Sequence, residues 1–170
     1  MNQTARIPVL MYHRVGEAHN DWERKYCVSP QRFAQQMSSL HTQGWHAVTL
    51  QQFVHWLDGR IELPEAAFLL TFDDGFLGVH EHAAPVLRSL NWEATVFLVS
   101  NLIGKRDTWC ESHNPSGATY PLMDVSHLRE LQAQGFRLES HTRNHADLPT
   151  LDDATLVAEL AGSRATLQDM

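Results

Sequence analysis

AAFLLTFDDG, residues 66–75, is the stretch that decides the fold. Residues 66–72 form the most continuous apolar run of the chain, the mark of a central parallel strand buried on both faces. Shorter apolar runs and amphipathic segments alternate on either side of it. Upstream, residues 7–12 (IPVLMY) and 45–48 read as strands, the first of them buried. Between them Ser29-Pro30 opens a helix, with Ser as N-cap and Pro at the first helical position. Phe33, Met37 and Leu40 share one face of that helix, and Gly44 ends it. Thr49 and Gln52 make a capping-box pattern for a second helix, running to about Leu57 and broken at Asp58-Gly59.

Downstream, a helix puts Ala83, Val86, Leu87 and Leu90 on one side, and residues 94–99 (ATVFLV) read as another buried strand. Residues 104–120 carry Gly, Pro, Asn and Ser and read as a long loop, a common place for function. Asp124 caps a helix closed by Gly135, and residues 136–139 form a fifth strand. Thr150 caps a last helix with Leu156, Leu160 and Leu167 inward. Five strand–helix alternations define an α/β fold with a parallel sheet under covering helices. The 170 residues suit one domain. A closed eight-unit barrel needs about 250 residues, so the sheet is open or the chain is part of a longer domain.

Composition narrows the function. Lys and Arg total 13 against 20 Asp and Glu, a net charge of -7, which opposes general nucleic-acid binding. No apolar run approaches the roughly 20 residues of a membrane span. Residues 1–12 lack the basic head and long apolar stretch of an export signal, so a cytoplasmic location is the default expectation. Cys27 and Cys110 have no metal-type spacing and read as free thiols. The eleven histidines are the one compositional hint of metal chemistry.

Ligands of parallel α/β folds sit beyond the carboxyl ends of the strands. Three strand ends there carry polar residues: His13-Arg14, Asp73-Asp74-Gly75, and His141 with His145. Chance alone supplies about 0.7 His-x-x-x-His pairs in such a chain, so position must carry the argument. Two carboxylates ending a strongly apolar strand cost several kcal/mol unless something pairs them. A divalent cation would do so. One turn of helix would point His141 and His145 at that ion, and one Asp with two His leaves open positions for water and substrate. The other Asp could accept a proton from the water; spacing leaves open which Asp does which.

TFDDG (residues 71–75) and SHTRNH (residues 140–145) resemble the first two motifs of the polysaccharide deacetylase family, the NodB-homology or carbohydrate esterase family 4 domain. LMYH at residues 10–13, VSP at 28–30, GWHAVTL at 44–50 and ATVFL at 94–98 are similar in order and character, so the resemblance runs from about Ile7 to Met170. It implies a distorted (β/α)7-type barrel, incomplete here with about five β/α units, and metal-dependent removal of acetyl groups from a polysaccharide. By motif, Asp73 matches the catalytic base, and Asp74, His141 and His145 match the metal ligands. Zinc is the usual ion, with cobalt, nickel or manganese as alternatives. The implied step is attack of metal-bound water on an acetamide carbonyl. His13, Trp109 and Tyr120 are candidate substrate contacts, the two aromatics by stacking on sugar rings.

The family's later motifs, Arg-x-Pro-Tyr/Trp, Asp-Trp and Leu-x-His, have no counterpart in the 25 residues after His145. The chain therefore resembles the N-terminal two-thirds of the domain, with metal and base present and the general acid absent. Glu139 stands where many members have a small residue. Two other functions remain open: an amidohydrolase of the same fold on a small molecule, and a non-catalytic module binding a glycan or a protein partner. Cell-envelope work is common in the family.

Overall fold

The computed structural model describes residues 6–170; residues 1–5, part of the stretch read above for an export signal, lie outside it. The strands are β1 (Val9–Tyr12), β2 (Arg14–Val15), β3 (Cys27–Val28), β4 (His46–Val48), β5 (Ala67–Phe72), β6 (Thr95–Leu98) and β7 (Arg137–Ser140). The helices are α1 (Pro30–Thr42), α2 (Leu50–Leu57), α3 (Ala84–Ser89), α4 (Val125–Ala133) and α5 (Asp153–Gln168). Five strands make one sheet in the order β1-β5-β6-β7, with β4 also pairing on β5, and β2 and β3 form a separate pair. Every pairing is parallel, as the strand–helix alternation requires.

The apolar run takes the central place expected of it. All six residues of β5 are buried. Phe33 and Met37 of α1, Leu87 of α3, and Leu128 and Leu131 of α4 pack with Phe68, Leu70, Phe72, Val96 and Leu98 into one core. Each fully buried side chain of this size contributes about 1.5–3 kcal/mol. Local signals position the helices over that sheet. Ser29 accepts from the Arg32 N–H with Pro30 at the first turn, Thr49 and Gln52 form their capping box, and Asp124 caps α4. Among the described residues no helix is long and apolar enough to cross a membrane.

Three expectations need correction. β1 is not buried: it ends the strand order, so Leu10 and Tyr12 pack on the core while Val9 and Met11 are 50% and 58% exposed. The N-cap of α5 is Asp152, which accepts from the Thr155 N–H; Thr150 instead closes a short 3-10 turn by donating to the Asp147 carbonyl. Leu160 faces out at 45% exposure, and the fully covered positions of α5 are Glu159 and Ser163. That helix docks by hydrogen bonds together with Leu167, which packs half-buried against the core as expected. Cys27 and Cys110 are free thiols, as expected.

One close approach ties the small strand pair to the rest. A π-helical turn, Val79–Ala83, follows Gly78, and a Cβ built at Gly78 would lie 2.0 Å from the Val15 carbonyl oxygen. Backbone φ there is ordinary for any residue, so the requirement for glycine is steric. Gly78→Ala is expected to cost about 2–3 kcal/mol, read by urea denaturation; a loss below about 0.5 kcal/mol, the range of an unconstrained surface change, would show that the contact can relax.

Candidate metal and substrate site

Parallel register brings the candidate ligands level. Phe72 of β5 pairs with Val96 of β6, and Leu98 of β6 pairs with Ser140 of β7. Asp74, two residues past Phe72, therefore stands level with Ser140, one residue before His141, two strands or roughly 10 Å across the sheet. Both side chains reach inward over β6. The Asp74 Oδ1 atom lies 3.4 Å from His141 Nε2 and 3.3 Å from His145 Nε2. One ligand atom from each residue fits within 4.8 Å of the others.

The backbone bends sharply to achieve this. Asp74 has φ 74° and Gly75 φ 82°, so β5 ends in two left-handed residues that turn the carboxylate over the rim. The histidine segment is not one turn of helix, contrary to expectation. Thr142 (φ 66°) and His145 (φ 59°) are both left-handed, and an open loop rather than a helical i, i+4 face points the two imidazoles at Asp74. A positive φ at a β-branched residue is a genuine outlier, and such positions cost about 1–3 kcal/mol each unless their surroundings hold them. Here the Thr142 Oγ1 accepts from the His145 N–H, while the Thr142 and Arg143 carbonyls accept from the Ser100 and Asn101 N–H groups.

Asp74 is only 5% exposed, and its Oδ1 is buried without a hydrogen-bond partner. At 3.3–3.4 Å the imidazole nitrogens are near enough to donate to it but do not point their N–H groups at it. A buried anionic oxygen lacking a donor, faced by two imidazole nitrogens, is a donor set suited to a divalent transition ion. The electrostatics of the two imidazoles differ. Burial lowers the His141 pKa below the usual histidine value, favouring the neutral form that ligates, although the Asp74 and Asp73 carboxylates oppose the shift. The facing Asp74 carboxylate raises His145 instead. Partial burial pushes the Asp73 carboxyl up, opposed chiefly by the charges of His141 and His13.

Beside this group opens a cavity of about 600 Å3, to which Asp74 and His145 contribute. Trp22, Tyr26, Phe76, Trp109 and Tyr120 give it an aromatic wall. Of the anticipated contacts, His13 lines the cavity and packs edge-on to Tyr26 at 5.5 Å. The Trp109 indole lies parallel to the His145 imidazole, 4.6 Å between ring centroids, and so braces a candidate ligand. Tyr120 lines the cavity but departs from the expected free platform. Arg14 covers one face at 3.5 Å, and the hydroxyl donates to Glu23.

Several residues of this wall carry no mark in the sequence. Glu23, 2% exposed, receives Arg14 Nη2 at 2.9 Å, the His19 N–H, Asn20 and Asn114 Nδ2 groups and the Tyr120 hydroxyl. Trp22 and Tyr26 flank it in the chain and line the same cavity. Arg14 had a signal, its place directly after the first strand; Glu23 and Asn114 had none, because their partners lie up to 97 residues away.

The parallel sheet with its covering helices and the candidate Asp–His–His group at the strand ends are the features expected of the polysaccharide deacetylase family. The family model for polysaccharide deacetylases matches residues 60–170, and the chain belongs to that family. It is 26% identical over 166 residues to YxkH of Bacillus subtilis, covering 98% of this chain and 53% of that protein. To the poly-beta-1,6-N-acetyl-D-glucosamine N-deacetylase of Staphylococcus epidermidis it is 28% identical over 147 residues, covering 79% of this chain and 47% of that one. The chain thus spans about half the length of these curated relatives. Among solved structures, IcaB from Ammonifex degensii superposes with a TM-score of 0.76 at 28% identity, over 96% of this chain and 68% of that one.

The cavity wall has a testable acid sensitivity. Burial alone would raise the Glu23 pKa, but hydrogen bonds from His19, Asn114 and Tyr120 and the Arg14 charge outweigh it and hold the carboxyl at about 2, against 4.5 for a free glutamate. The folded value is below the unfolded one, so the charge stabilises the fold above pH 4.5 and that stability fades as pH falls toward 2. Glu23→Gln is expected to melt below the wild type at pH 7, with the gap narrowing below pH 4.5. A gap that stays constant on acidification would show that the carboxylate charge is not what holds the wall.

Proposed function

We propose that the protein hydrolyses acetyl groups, the N-acetyl groups of amino sugars foremost, from a polysaccharide in a metal-dependent reaction. The observation that carries this reading is the buried, unpartnered Asp74 Oδ1 converging with the Nε2 atoms of His141 and His145. Those three atoms would hold one divalent ion, zinc by the chemistry of an N2O donor set that leaves positions open. When bound, such an ion lowers the pKa of water and polarises a carbonyl oxygen.

The chain's own residues divide the remaining work. Asp73 would accept the proton of the water that attacks the acetamide carbonyl carbon; the products are acetate and a free amine. Trp109 keeps the His145 imidazole from turning by stacking on it. The aromatic wall suits the apolar face of a pyranose ring. Membership of the polysaccharide deacetylase family and the named substrate of the Staphylococcus relative support an acetylated glucosamine polymer as substrate class.

The purified protein is expected to take up one divalent ion per chain, and the complete domain to release acetate from N-acetylglucosamine oligomers in preference to small cyclic or formyl amides. Asp74→Ala should abolish metal uptake. Asp73→Asn should retain the ion and lose about 10²–10⁴-fold in kcat. Elemental analysis with an acetate assay checks all three; metal retained by Asp74→Ala would overturn the ligand assignment, and full activity in Asp73→Asn would overturn the base.

A further inference from the structure

The loop that carries the two histidines is held from two sides: Ser100 and Asn101 donate to the Thr142 and Arg143 carbonyls and the Asn144 side chain, and α5 bonds to the same three residues. Glu159 of α5 is 6% exposed. Its Oε2 accepts the Arg143 N–H at 3.0 Å and the Asn144 N–H at 2.9 Å, and its Oε1 accepts from the Asn144 side-chain amide. One turn further on, Ser163 is fully buried; its hydroxyl donates to the Thr142 carbonyl at 2.9 Å and accepts from Ser140 Oγ at 2.7 Å. Between them Gly162 lets Arg143 lie flat on the helix, since a Cβ there would fall 2.6 Å from Arg143 Cδ. All three residues between His141 and His145 are therefore bonded to α5, and the buried carboxylate accepts three hydrogen bonds from two of them. A carboxylate used only to dock a helix has no need to meet two consecutive N–H groups in the middle of a ligand-bearing loop.

We infer that Glu159, with Ser163 behind it, is a positioning residue for the candidate metal site: its carboxylate fixes residues 142–144 in the non-helical path that sets the distance between His141 Nε2 and His145 Nε2. The inference rests on the metal reading above. It also accounts for why the helix buries a glutamate and a serine where an amphipathic pattern would bury leucines.

The test is cobalt(II) binding to the whole chain, followed by its visible absorption band, alongside the melting temperature of the metal-free protein. Outer-shell partners of metal ligands are worth about 10–100-fold in affinity. Glu159→Ala should weaken cobalt binding by at least tenfold and shift the band. Glu159→Gln keeps one oxygen that can accept both backbone N–H groups, so it should bind within about threefold of the wild type. If Glu159→Ala folds and binds cobalt within twofold of the wild type, with only its melting temperature lowered, the residue merely docks the helix and the inference fails. If Glu159→Ala does not fold, Ser163→Ala decides: weaker cobalt binding supports the clamp, and unchanged binding overturns it. No cobalt uptake by the wild type would overturn the metal reading and this inference with it.

Discussion

A carboxylate oxygen shut away from water without a donor is among the costliest arrangements a folded chain can hold. Asp74 Oδ1 is in that position, and much of the architecture bears on keeping it there. The residue itself adopts a left-handed backbone, and the glycine after it does the same. Two imidazoles face the oxygen without satisfying it. Proteins tolerate such uncompensated sites where function supplies the missing partner.

The supporting structure is arranged in layers around that point. Parallel pairing through β6 sets the height of β5 against β7, so the register of the sheet decides whether the three side chains can meet. A loop then corrects what the sheet cannot reach, bringing His145 back over the strand ends. Around it, Trp109 covers one imidazole and α5 takes up the loop's backbone groups. Rigid strands give the coarse placement, and hydrogen bonds from other elements give the fine placement.

This division also explains what could be read in the chain beforehand. The run at residues 66–72 announces a central strand because its apolar character is uninterrupted, and the caps at Ser29, Thr49 and Asp124 depend on partners three residues away or fewer. Asp73, Asp74, His141 and His145 stand out because two short motifs fall after strands. What was hidden depends on distant partners. The exposure of Val9 and Met11 follows from β1 ending the strand order, which no local pattern encodes. The non-helical path of residues 141–145 is stabilised by Glu159 and Ser163, more than ten residues downstream, and those two look like solvent-facing positions in a helical repeat. Tyr120 reads as a free aromatic because Arg14, which covers it, belongs to the other end of the chain.

The cavity wall built on Arg14, Glu23, Asn114 and Tyr120 has its donors and acceptors already committed to one another. Such a surface offers a guest flat faces and a shape but few free polar contacts. Discrimination between stereoisomers of a ring relies on polar groups that match each hydroxyl, and these four residues have little left to offer for it. On this side the cavity is built to accommodate, and stricter selection of a guest would fall to its other polar lining residues, such as His13 and Asp147.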